Sequence, residues 1–128
     1  MKKLLIAAII VFASCKTDNK ENQTKQLNKK TEIVEKARKK INDALKLSRQ
    51  INNEIEIANS LFQLSKLEFS YGVPLIATIS LEKAKEIYKP KGLKTKLVEL
   101  NTFGIALYKK VGNKEKVTEL IPEIQSGN

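Results

Sequence analysis

The chain has 128 residues, room for one small domain. It is 41% hydrophobic but only 5% aromatic, with no Trp, no His and a single Cys, which excludes zinc spacings, intrachain disulfides, Cys–His nucleophiles and His-dependent triads. A formal charge of +10 suggests an anionic partner, but Arg38 and Arg49 are the only arginines. Nucleic-acid recognition favours the bidentate guanidinium, so lysines spread over solvated helix faces are the better reading.

Five Gly and three Pro are too few for a turn-dense β protein, and Leu, Ile, Val and Ala supply the apolar content. The expected fold class is all-α. There is no Gly-rich phosphate loop, and Glu54, Glu56, Glu82 and Glu86 fall on polar helix faces. No catalytic residue, metal or cofactor is expected, and the protein reads as a non-enzyme.

Met1-Lys2-Lys3 is followed by ten apolar residues, Leu4 to Ala13, a run too short to span a bilayer as a helix. Basic start, short apolar core and small residues at the end are the parts of a secretory signal. The end of this run with the two residues after it, Phe12-Ala13-Ser14-Cys15, resembles a bacterial lipobox, with Phe12 where Leu is usual. That resemblance implies cleavage after residue 14, diacylation of the Cys15 thiol and stable anchoring to a membrane, most simply the outer membrane of the cell envelope. An exported protein is a poor candidate for binding nucleic acid. Residues 15–30 contain one large apolar residue, Leu27, and are expected to form a disordered tether.

Helical spacing then predicts five helices over residues 31–126. The first, about 31–51, begins at a Thr31 cap and carries Ile33, Ala37, Ile41, Ala44, Leu45, Leu47 and Ser48 on one face, with Arg38, Lys39, Lys40, Asn42, Asp43 and Lys46 opposite. Asn52-Asn53 marks a turn. The second, 54–71, ends at Gly72, which is suited to a left-handed cap. The third, 74–88, starts at Pro74 and stops at Pro90 and Gly92. The fourth covers 94–110. After Gly112-Asn113 the fifth covers 114–125, where Pro122 is expected to kink or shorten it.

Ala37, Ile41, Ala44, Leu47 returns 40 residues later as Ala77, Leu81, Ala84, Ile87, and more loosely as Val117, Ile121, Ile124. Gly72 and Gly112 share that offset, and Leu61, Leu64, Ser65 return at 39 as Leu100, Phe103, Gly104. These linked features resemble the tetratricopeptide repeat in a long variant, over about two and a half repeats. Leu100, Phe103-Gly104 and Leu107 match its first helix, with Glu68 departing from the last apolar position of the earlier copy. Ala77, Leu81, Ala84 and Pro90 match its second helix.

The resemblance implies antiparallel hairpins stacked as a short α-solenoid, and binding of a protein partner on a concave face. Carried over residue by residue, that face holds Asn59, Phe62, Lys66, Phe69, Asn101, Ile105, Tyr108 and Lys109. Phe62 could instead pack against the first helix. Lys89, Lys91, Lys94 and Lys96 form a basic loop that reads either as a contact for anionic groups or as a soluble loop. The first helix, lacking a preceding hairpin partner, leaves an apolar flank that a homodimer would cover. The expected function is a lipid-anchored scaffold or accessory subunit of an envelope assembly complex. A surface adhesin for anionic host polymers is the alternative.

Overall fold

The computed structural model describes the backbone of residues 2–126 and the side chains of residues 19–126. Five helices follow one another: α1 (Lys2–Gln50), α2 (Glu54–Tyr71), α3 (Pro74–Tyr88), α4 (Lys94–Lys110) and α5 (Lys114–Gln125), with no strand among the described residues. The protein is all-α. Helices pack on their neighbours in sequence, α2 on α3, α3 on α4 and α4 on α5. The chain divides into two compact units, one up to Lys36 and one from Ala37 onward.

In the first unit, residues 19–33 are exposed at every position, yet they are helical rather than an irregular tether. The first glycine or proline of the chain is Gly72, so nothing here interrupts a helix, and Lys, Glu, Gln and Leu favour one. Thr31 does not cap a helix start: its hydroxyl donates to the Leu27 carbonyl at 3.0 Å, within a helix already formed. Lys36 and Glu32, one turn apart at 2.7 Å, add a solvated ion pair. The side chain of Cys15 lies outside the described residues, and with it the expected acylation.

In the second unit the turns fall where asparagine, glycine and proline predict them. Asn53 caps α2 by accepting the Glu56 N–H at 3.2 Å, and Asn113 caps α5 by accepting from Lys116 at 3.1 Å. Asn52, Gly92 and Gly112 have φ of 54°, 65° and 76°, the left-handed conformation that ends these helices. Pro122 does not stop α5, which continues to Gln125; the Ser126 N–H closes the last turn on the Pro122 carbonyl at 3.0 Å.

Small residues mark the close crossings. Ala77 and Ala84 of α3 are wholly buried beside Leu81, and the Ser65 hydroxyl of α2 donates to the Ala77 carbonyl at 2.7 Å. A Cβ on Gly104 of α4 would sit 3.1 Å from Leu120 and 3.2 Å from Leu81. Leu61, Leu100 and Leu107 complete this core with Ala58, Tyr88 and Leu120.

Gly72 differs from the expectation. Its φ is −130°, so it is no left-handed cap. Its role is to leave room: a Cβ there would fall 1.8 Å from Glu68 Oε2. Glu68, only 3% exposed, accepts from Arg38 Nε at 2.6 Å and from the Val73 N–H at 3.1 Å. The carboxylate thereby satisfies the start of α3 and holds α1 against α2. Arg38 therefore faces inward, whereas the sequence placed it on the solvated side.

The buried face of α1 is rotated accordingly. Leu45 and Ser48 are buried and Ile41 half-buried, but Ile33, Ala44 and Leu47, expected on the packed face, are exposed. The Ser48 hydroxyl donates to the Ala44 carbonyl at 2.7 Å.

Burial raises the Glu68 pKa, but the Arg38 guanidinium and Val73 N–H outweigh it and hold the carboxyl below its ordinary 4.5. A depressed carboxylate stabilises the fold above its unfolded pKa, and that contribution disappears as pH falls through the folded value. Urea unfolding should show stability falling below about pH 4.5, with a shallower fall in Glu68→Gln. At neutral pH that variant should lose about 2–3 kcal/mol, because the inward-facing Arg38 no longer meets the buried carboxylate. An unchanged midpoint would refute this role.

Candidate interaction face

Phe62 and Phe69 lie seven residues apart on α2, hence on one face, and both meet a ring from the next hairpin. Phe103 of α4 contacts Phe62 edge-on, with centroids 5.7 Å apart and planes at 72°, and Phe69 likewise at 5.3 Å and 74°. Phe62 is buried and Phe69 half-buried. The rings thus form a seam between α2 and α4, in which Phe62 packs on Phe103; Phe62 also belongs to the core cluster that includes Leu45 of the first helix.

Two lysines close the seam. Lys66 Nζ stands 4.2 Å above the Phe62 ring and pairs with Glu99 at 3.4 Å. Lys110 Nζ stands 4.5 Å above Phe69 and donates to the Phe69 carbonyl at 2.7 Å. Each cation gains from the ring quadrupole while its stem covers apolar surface. Sequence reasoning treated Phe103 only as a packing residue and did not single out Lys110. The signal was the recurrence of an aromatic one repeat on, at the level where α2 carries two.

The remaining expected face residues divide. Asn59 accepts from the Tyr88 hydroxyl, and Tyr108 donates to Glu82. Burial, then the Glu99 and Glu56 charges, pushes Tyr88 up to about 12, and burial with the Glu82 carboxylate raises Tyr108 further. Glu82 is therefore a partner of a buried phenol and not an ordinary solvated carboxylate. Asn101 is 4% exposed and donates to Glu123 Oε2 at 3.0 Å, where Lys85 Nζ also arrives at 2.9 Å. Its Oδ1 has no hydrogen-bond partner among the described residues, and Asn101 lines a cavity of about 190 Å³ with Lys85, Lys89, Leu97, Glu123 and Ser126. Ile105 is half-buried and Lys109 exposed. Asn59, Asn101 and Tyr108 are thus committed to contacts within the fold. Lys66, Phe69, Ile105 and Lys109 retain accessible surface.

In the basic loop Lys89, Lys91, Lys94 and Lys96 are all exposed. Lys91 pairs with Glu54 at 2.6 Å and Lys96 with Glu99 at 4.0 Å, so the loop is partly neutralised. Exposed apolar side chains collect elsewhere, at Val73, Leu75, Ile76 and Ile79 near the start of α3. Among the described residues no group of acidic, His or Cys side chains could hold a metal ion, and no helix is long and apolar enough to cross a membrane.

No protein-family model, curated protein or solved structure matches the chain.

Removing the Phe103 ring strips both α2 phenylalanines of their partner, and Phe103→Ala should cost about 3 kcal/mol in denaturant melts; a loss under about 1 kcal/mol would contradict the seam. In alkaline titration, tyrosinate absorbance should show two phenols ionising above the usual 10. Because the unfolded phenols release protons first, stability should fall as pH rises from 10 toward 12.

Proposed function

We propose that this protein is a lipid-anchored bacterial envelope protein whose helical domain, a tetratricopeptide-like repeat, binds a protein partner as a scaffold or accessory subunit of an envelope assembly complex. The observation that carries the anchor is the order of residues 1–15: basic start, ten apolar residues ending in Ala13, then Ser14-Cys15. Two acyl chains on Cys15 hold the protein at a membrane where one would exchange.

The binding role is supported by the arrangement of the domain. Its helices pack neighbour on neighbour, small residues sit at the crossings, and an aromatic seam rimmed by lysines runs between α2 and α4. The partly accessible Phe69 and Ile105, with Lys66 and Lys109, suit a partner segment that is apolar with flanking acids. The exposed lysines of the 89–96 loop favour a second reading, adhesion to anionic polymers, which requires binding that weakens steeply between low and physiological salt.

Mass spectrometry of the protein from membranes should find a diacylglyceryl group on Cys15, and Cys15→Ser should move the protein to the soluble fraction. Unmodified Cys15 in a soluble wild type would end the anchored reading. Crosslinking in intact cells should recover one stoichiometric partner, with recovery reduced several-fold in Lys66→Glu/Lys109→Glu. No recovered partner would end the scaffold reading.

A further inference from the structure

The repeat leaves one berth vacant. Along α3, Ala77, Leu81 and Ala84 are fully buried, and on α4 Glu99 reaches Lys66 of α2; α2 fills the space these residues border. One repeat earlier the matching positions are Ala37, Ile41 and Ala44 on α1, with Ser60 on α2. There the described residues place no covering helix. Ala44 is exposed, and a groove of about 260 Å³ is lined by Lys40, Ile41 and Ala44 of α1 and by Glu56, Asn59, Ser60 and Gln63 of α2. Leu47 and Ile51 extend the open apolar stripe, 58% and 62% exposed.

We propose that a second copy of this chain covers this stripe, with α1 of each copy packed antiparallel on α1 of the other about a two-fold axis. Three observations select a second copy. A two-fold axis across a helix makes the two copies antiparallel, and antiparallel is the direction in which α2 runs on α3. The stripe is also complementary to itself. An axis midway between Lys40 and Ala44 sets each Leu47 over the partner's Ala37, and each Lys40 level with the partner's Ala44, so that large residues meet small ones.

Charge completes the match. In that register Lys40 lies one residue from the partner's Asp43, and the axis makes the pair twice. Among the described residues Asp43 makes an exposed contact to Lys39 at 3.5 Å, so it can accept a second cation. A uniformly acidic partner helix would satisfy Lys40 and oppose Asp43. A seam of about 20 Å of helix is small among specific interfaces, which places the affinity in the micromolar range.

Sedimentation equilibrium of the full chain in density-matched detergent tests this. The wild type should pass reversibly from one chain to two between about 1 and 100 µM. Ala44→Glu, on an exposed site, should remain monomeric throughout. Lys40→Glu should weaken association by about tenfold or more, and Lys40→Glu/Asp43→Lys should restore it, which a mere change in net charge or folding would not do. A monomeric wild type at 100 µM, a dimer indifferent to Ala44→Glu, or a charge swap without rescue would each overturn the proposal. A monomer would leave the scaffold reading standing, and a soluble dimer would leave this inference standing without the anchor.

Discussion

The second unit depends on one buried carboxylate. Glu68 occupies the place where the preceding repeat pattern calls for an apolar side chain. It joins three elements through its two oxygens: Arg38 of α1 on one, and the Val73 N–H at the start of α3 on the other. With Glu68 at 4% side-chain exposure and Arg38 at 25%, neither is screened as a surface pair would be, and each needs the other. Gly72 is part of the same device, since any Cβ would occupy the space of the carboxylate. The rotation of α1, the burial of Leu45 and Ser48, and the exposure of Leu47 all follow from Arg38 pointing inward.

The rest of the unit is held differently. From α2 onward, small residues bring helices close and aromatic rings bridge successive hairpins. Phe103 of α4 meets two rings of α2 at once. On α1 the Arg38–Glu68 pair fixes one side, and Ala44 and Leu47 stay exposed on another. α1 thus carries an inward face fixed by charge and an exposed side on which Ala44 and Leu47 lie among lysines.

The sequence made α2 to α5 legible nearly to the residue, because Asn53, Gly72-Val73-Pro74, Gly92 and Gly112-Asn113 punctuate them. It did not show that α1 runs through residues 16–30: the absence of a breaker permits a helix, but low hydrophobicity argued that nothing would hold one. The packed face of α1 was also hidden. Ile33 to Leu47 carry apolar residues over about 160° of the helix circumference, so periodicity could not choose which edge of that arc turns inward. A contact between residues 38 and 68 chose it. Among the expected interaction residues, Phe62, Lys66 and Phe69 do come together, whereas Asn59, Asn101 and Tyr108 turn to partners on other helices. Their polar ends looked free because Tyr88, Glu123 and Glu82 stand 22 to 29 residues away in sequence.

The central claim is that the Arg38–Glu68 pair, and not general helix packing, sets the position of α1. A double-mutant cycle with Arg38→Met and Glu68→Leu, read by urea unfolding at neutral pH, tests it most directly. Each single change removes one side of this ion pair, while the double change replaces both sides with apolar side chains. The double variant should be more stable than either single one, with a coupling energy of about 2–3 kcal/mol. Single effects that add to within about 0.5 kcal/mol would contradict the claim.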